Sequence, residues 1–335
     1  MNRLAPFLDD LATRIALHSA QIGRRVQIDP NQTLDRGDAV RLRTPSHVSA
    51  NGACRLLRTA DERWIGVNLP RAEDRTAAAA LVMREQDGDL WDFLATECAR
   101  LTARELRTQA QVLGVALAEV SETSAPMAAC AVSPTRAATR RGAQLSVLDL
   151  SSLWAGPLCG GVFAAMGADV CKIESSERPD TTAISAPVLD QRLNGAKIKR
   201  RVSFRSAEGL AALHEAIARC DVLITNARAR ALAALGLSRA AMRRANPGLV
   251  WVAITGHGWD SDRVAFGDDA AAAGGLVEWR DGEPRFMGDA LADPLTGLAA
   301  AAAALELVAS GRGGFVDAAL ASVAAYAAQP RRIAA

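Results

Sequence analysis

The spacing of apolar positions changes near residue 140. Ahead of it, short segments of mixed period follow one another. Leu4 to Leu17 carries apolar residues at helical spacing and predicts an amphipathic helix, followed by a turn at Asp29-Pro30-Asn31. Val48 to Thr59 and Trp64 to Asn68 predict short strands around an Asp61-Glu62 turn. Asp74 to Met83, Leu90 to Ala99 and Thr102 to Leu113 predict helices. In the last, Thr102 stands as N-cap with Glu105 three residues later, the spacing of a capping box. Val115 to Val120 predicts a further strand. These elements make a small α+β unit over residues 1–125, with the small, Pro-containing and basic stretch 126–141 expected as an exposed linker.

From 142 to 335 strands and helices alternate. Leu145–Leu150, Asp169–Ile173, Asp221–Thr225 and Leu249–Thr255 are apolar runs of buried-strand type. Between and after them, Leu158–Met166, Glu208–Arg219, Ala231–Leu235, Arg239–Ala245 and Pro294–Ala309 read as helices, the last capped by Asp293. Repeated βα units predict an α/β fold: a mostly parallel, Rossmann-like sheet covered on both faces, beside the smaller α+β unit. Ligands of such sheets sit beyond the carboxyl ends of the strands. The turns at 151–157, 226–230 and 256–269 lie there.

Composition narrows the chemistry. The 335 residues hold 39 Lys+Arg against 37 Asp+Glu, a formal charge of +2, so no electrostatic argument favours a nucleic acid or an anionic membrane. Hydrophobic residues make up 50% and charged residues 23%, a globular balance. No uncharged apolar run reaches the roughly 18 residues of a membrane span, because the best stretch, Leu295 to Val308, contains Glu306. The six cysteines are widely spaced, with no C-x-x-C pair and no histidine cluster beside them. They are expected to be buried reduced thiols of a cytoplasmic protein, with no metal site. Gly156, Gly160 and Gly161 do not fit G-x-G-x-x-G, and no P-loop, H-E-x-x-H or G-x-S-x-G is present.

A series of blocks in the second part nevertheless resembles the class III CoA-transferases, a family that includes formyl-CoA and carnitine CoA-transferases and the 2-methylacyl-CoA racemases. The blocks are VLDLSSLWAGP (147–157), GADVCKIE (167–174), Leu193-Asn194 with Lys197, Ala207-Glu208-Gly209, DVLITN (221–226) and Leu235-Gly236-Leu237. Asn246-Pro247, VAITGHG (252–258), Gly267-Asp268-Asp269, DPLTG (293–297) and Val316-Asp317 follow in the family's order. Residues 61–74 and 102–120 resemble the family's small domain, which usually follows the catalytic part. Here that unit precedes it, so a permuted order is expected.

The resemblance implies transfer of CoA from an acyl-CoA thioester to a carboxylic acid through an aspartyl-CoA intermediate, by a cytoplasmic homodimer. It places Asp269 as nucleophile; from local sequence alone Asp269 reads as an N-cap. That role requires Asp269 to face an open cleft with backbone donors nearby. Trp154 and Ala155 would face the thioester, Lys197, Asn226 and Arg228 the CoA moiety, and Thr255 and Gly256 the loop beside the nucleophile. Asp293 reads as a helix cap and His257 as a packed histidine. Two alternatives stay open: a racemase-type enzyme, for which no histidine stands between His214 and His257, and a non-catalytic acyl-CoA-binding member, in keeping with Trp154 and Ala234 at positions where the family carries polar or basic groups.

Overall fold

A computed structural model describes residues 3–137 and 144–329. Helices α1 (Ala5–Ile22) and α2 (Pro30–Leu34) open the chain. Strands β1 (Cys54–Arg58), β2 (Trp64–Asn68) and β3 (Ala116–Glu119) form an antiparallel sheet in the order β1-β2-β3. Helices α3 (Ala72–Leu81), α4 (Leu90–Cys98) and α5 (Ala103–Leu113) close over it around Ile65, Val67, Leu69, Leu81, Leu94 and Leu106. The capping box forms as its spacing predicts: Thr102 N–H donates to Glu105 Oε2 at 2.8 Å, and Glu105 N–H to Thr102 Oγ1 at 3.3 Å.

Next come β4 (Ala131–Ala137), β5 (Ser146–Leu150), α6 (Ala155–Ala165), β6 (Asp169–Ser175), α7 (Thr182–Ser185), α8 (Pro187–Asn194) and β7 (Ile198–Val202). They continue with α9 (Ala207–Arg219), β8 (Val222–Thr225), α10 (Ala229–Ala234), α11 (Arg239–Ala245), β9 (Val250–Thr255) and α12 (Gly267–Ala273). The hairpin β10 (Val277–Arg280) and β11 (Glu283–Phe286), then α13 (Ala292–Ala309), β12 (Arg312–Ala319) and α14 (Leu320–Ala328), complete the chain. The seven-stranded sheet runs β4-β12-β9-β8-β5-β6-β7 and is parallel except for β4. Val222, Leu223 and Ile224, and Val250 through Ile254, are all buried, the continuous apolar signature of central parallel strands. One face packs on α1, α6, α13 and α14, the other on α9, α10 and α11.

Three details depart from the sequence expectation. Helix α1 falls in the stretch expected as the small unit, yet Leu4, Phe7, Leu8, Leu11 and Ile15 join the core of the large sheet and pack on α13. Residues 131–137 of the expected linker are a strand, antiparallel to β12; Pro134 is tolerated because β4 lies at the sheet edge. Residues 126–130 of that linker are irregular, and 138–141 lie outside the described residues. Finally, Ala155-Gly156-Pro157 is the first turn of α6 rather than a separate turn before it.

Helix α13 is long and apolar enough by composition to cross a membrane, but 83% of it is buried within the fold. Its run of alanines lets it approach its neighbours closely. Gly297 lies against α6, where a Cβ would stand 2.6 Å from Ala155 O.

Candidate active site

A cleft of about 490 Å³ opens beyond the carboxyl ends of β5, β6, β8 and β9. Its walls are the turns 150–155, 173–181, 226–231 and 254–266, with Asp293 from the start of α13 and Arg71 from the small unit. The first turn is held from beneath by two buried lysines. Lys172 Nζ donates to Ser151 O at 2.6 Å and to Asp180 Oδ2 at 3.2 Å. Lys197 Nζ donates to Asp149 Oδ2 at 2.8 Å, Pro157 O at 2.7 Å and Asn194 Oδ1 at 2.8 Å, which uses all three of its protons. Asp149 in turn accepts the Ser151 N–H at 2.9 Å. Burial opposes both charges, but the two lysines hold the Asp149 carboxylate below its ordinary range. So clamped, the turn carries Leu153 in the left-handed region (φ +68°), with its N–H on Asp180 Oδ2 at 3.2 Å. Gly156 is required: a Cβ there would lie 2.3 Å from the Ser151 side chain.

The structure brings Trp154, Ala155, Asn226, Arg228, Thr255 and Gly256 together on this cleft, as the sequence reading places them. Asn226 Nδ2 donates to Ser152 O at 3.0 Å and joins two of the turns. Thr255 Oγ1 donates to Asp317 Oδ1 at 2.7 Å and accepts the Gly258 N–H at 3.2 Å, fixing the third turn. Arg228 and Arg178 are exposed, and neither guanidinium has a hydrogen bond or ion pair among the described residues. Burial, then repulsion from Arg230, lowers the Arg228 pKa; Arg71 and Arg178 add to the repulsion. Asp262, 3.8 Å from Arg230, partly offsets this repulsion, and the excess of positive charge suits a polyanion.

Two expected residues do not reach the cleft. Lys197 is wholly occupied by the clamp and is a structural lysine. Asp269 is fully buried: its Oδ1 accepts from Asn68 Nδ2 at 2.8 Å and from Phe266 N–H at 2.9 Å, the backward bond of an N-terminal helix turn. Among the described residues its Oδ2 and the Asn68 Oδ1 have no hydrogen-bond partner, and burial pushes the Asp269 pKa up to about 7 against those two bonds. His257 is also enclosed, and burial lowers its pKa to about 4, so it is neutral near pH 7.

Three acids line the cleft: Glu174, which lies 3.9 Å from Arg201, Asp180, which is bonded to Lys172, and Asp293. The last is not the cap of α13: Leu291 takes that position, and Asp293 is the second helical residue. Its Oδ2 lies against Gly267, where a Cβ would stand 2.6 Å away, and the half-buried residue lines the cavity. Burial pushes its pKa up to about 7; Arg36 opposes this, while Asp268 and Asp289 reinforce it. Helix α13 packs closely on Ala155 at the start of α6, and Asp293 lines the same cleft as Ala155; the N-cap residue of α6 makes no side-chain cap bond. In that first turn Pro157 has no N–H and the Leu158 N–H is bonded to Trp154 O, which leaves the Ala155 and Gly156 N–H groups as the donors a carboxylate attacking an acyl carbon would call on.

Sequence reasoning passed over Asp293, Arg71 and Arg178. The DPLTG block carried the signal for Asp293, but an acid before proline reads first as a cap. Arg71 reaches the cleft from the small unit, with its guanidinium 5.4 Å from the Phe266 ring and bonded to Asp74. Among the described residues no cluster of three or more His, Cys, Asp or Glu suits a metal ion.

The family model described as CoA-transferase family III matches residues 143–334. The succinate–glutarate CoA-transferase of Agrobacterium fabrum is 31% identical over 202 residues, 53% of this chain and 50% of that protein. The formyl-CoA:oxalate CoA-transferase of Escherichia coli is 31% identical over 168 residues, 46% of this chain and 40% of that protein. A crystal structure of a CaiB/BaiF family protein from Brucella suis aligns with TM-score 0.50 and 28% identity, over 57% of this chain and 55% of that one. The chain spans about half the length of the curated relatives it matches.

Proposed function

The chain belongs to CoA-transferase family III, and on that premise we propose that it moves CoA from an acyl-CoA thioester to a carboxylic acid with Asp293 as the nucleophile. The observation that carries this reading is that Asp293 lines the same cleft as Ala155 at the start of α6, whereas the cleft acid Asp180 is bonded to Lys172. Asp269, enclosed under Asn68, is not used.

The steps follow from the groups present. The Asp293 carboxylate adds to the thioester carbonyl and expels CoA thiolate, leaving an acyl-aspartyl anhydride. The thiolate then attacks the aspartyl carbonyl, releasing the donor acid as its carboxylate and forming an aspartyl-CoA thioester. The acceptor carboxylate attacks that thioester and again frees the thiolate, which takes the acceptor acyl group and restores Asp293. At each stage the Ala155 and Gly156 N–H groups at the start of α6 would serve the developing oxyanion. Unpaired Arg178 and Arg228, with Arg71, suit the phosphates of CoA.

The relatives named for succinate, glutarate and oxalate make these acids the first panel of donors and acceptors. Chromatographic detection of a new acyl-CoA tests the reading. Transfer that disappears in Asp293→Ala, while CoA binding persists, supports it. CoA binding with no transfer for any pair moves the chain to the racemase or binding readings, which proton exchange at the acyl α-carbon separates. The placement of the small unit ahead of the catalytic part remains our reading of the domain order.

A further inference from the structure

Asp293 stands at the end of an unusual turn. Ala290, three residues before it, has φ +44°, a left-handed conformation disfavoured for alanine. Such a turn persists only where its surroundings hold it. Two contacts do so. Asp268 Oδ1 accepts the Ala290 N–H at 2.8 Å. Asp289, the preceding residue, takes both the Nε and the Nη2 of Arg36, the latter at 2.9 Å on Oδ1. The same guanidinium lies 4.7 Å from the centroid of the Trp154 ring, which walls the cleft. Arg36 comes from the stretch between α2 and β1, outside residues 143–334 matched by the family model.

We propose that Arg36 is a positioning residue of the cleft: held between the Trp154 face and the Asp289 carboxylate, it fixes the turn that presents Asp293 and supplies the counter-charge to the acids grouped around it. The charged groups facing Asp293 are Asp268 of α12, Asp289 ahead of α13 and Arg36, with Gly267 against its Oδ2. Two of the three charges are acids, and Asn51 Nδ2 bridges them at 2.8 Å to Asp268 and 3.4 Å to Asp289. Arg36 is therefore the cation that offsets repulsion within this group. It does so without touching substrate.

The inference rests on Asp293 being the nucleophile, and the test separates the two. Formation of the CoA adduct on intact protein is followed against pH in wild type, Arg36→Gln and Arg36→Lys, with succinyl-CoA as probe. In Arg36→Gln the acid limb of the rate is expected to move up by about one pH unit, so that the rate well below the limb falls roughly tenfold. Arg36→Lys restores the limb, since it keeps the charge, while recovering only part of the rate, since it loses the paired contact with Asp289 and the stacking on Trp154. A uniform loss at all pH values, or a limb that stays put in Arg36→Gln, overturns the counter-charge role. An absence of adduct on Asp293 in wild type overturns the nucleophile reading instead. If Arg36→Gln does not fold, Asp289→Asn, which weakens the hold on Arg36 while keeping its shape, is expected to lower the rate at its plateau with Arg36 still present.

Discussion

Replacing Lys197 by Met separates the clamp from a direct role in binding CoA. The substitution keeps the length of the side chain and removes the charge. Asp149 would then be buried with only Lys172, which makes no direct bond to it, as counter-charge, and Pro157 O and Asn194 Oδ1 would each lose a donor. Breaking a buried pair from one side costs about 3–5 kcal/mol, mostly because the remaining charge is uncompensated. At roughly 2 °C per kcal/mol for a chain of this size, the melting temperature should fall by about 6–10 °C. Adding Asp149→Asn removes the stranded charge while retaining an acceptor for the Ser151 N–H, and should recover about half of that loss. Differential scanning calorimetry of wild type and the two variants, with CoA binding by titration calorimetry on the folded proteins, reads both quantities. A melting temperature within about 1 °C of wild type, combined with a large loss of CoA affinity, would refute the clamp and return Lys197 to the ligand role its motif implies.

Other consequences are open to the same treatment. Gly156→Ala forces a Cβ onto Ser151 and should displace the first turn, costing about 1–3 kcal/mol and most of the CoA affinity, measured by melting and by titration. Arg228→Ala and Arg178→Ala should each weaken CoA binding by about tenfold, with a shallower salt dependence and melting unchanged within about 0.5 kcal/mol. Transfer should rise with pH through about 7, since Asp293 attacks only when ionised and its pKa is pushed up to about 7; a rate that falls across this range would contradict it. Asp269 behaves oppositely toward stability. Its folded pKa, about 7, lies above its unfolded value, so its contribution is fully present below the unfolded pKa and is lost as pH rises toward 7; Asp269→Asn should flatten the fall in melting temperature between pH 5 and 8.

The sheet was legible because its signal is local. Runs such as Val250–Thr255 need no partner to be read as buried strands, and the rule that ligands lie at strand ends placed three of the cleft's turns. The strand β4 was not legible: Pro134 and small residues look like linker until β12, far along the chain, supplies the edge they pair with. The same limit governs the site. The family-like block around Asp269 was visible, but its burial under Asn68, 201 residues away, was not. Lys197 stood out as a motif lysine, while its partner Asp149 lies 48 residues back. From spacing alone Asp293 reads as a cap, whereas facing the cleft depends on how α13 meets α6, set by Gly297.

The most direct test of the account is to locate the covalent adduct. Wild-type protein incubated with succinyl-CoA is examined by intact mass, with and without hydroxylamine, and the labelled peptide is then sequenced, alongside Asp293→Ala and Asp269→Ala. The account predicts a hydroxylamine-sensitive CoA adduct on Asp293, absent from Asp293→Ala and retained in Asp269→Ala. An adduct on Asp269, or one that survives in Asp293→Ala, would contradict it.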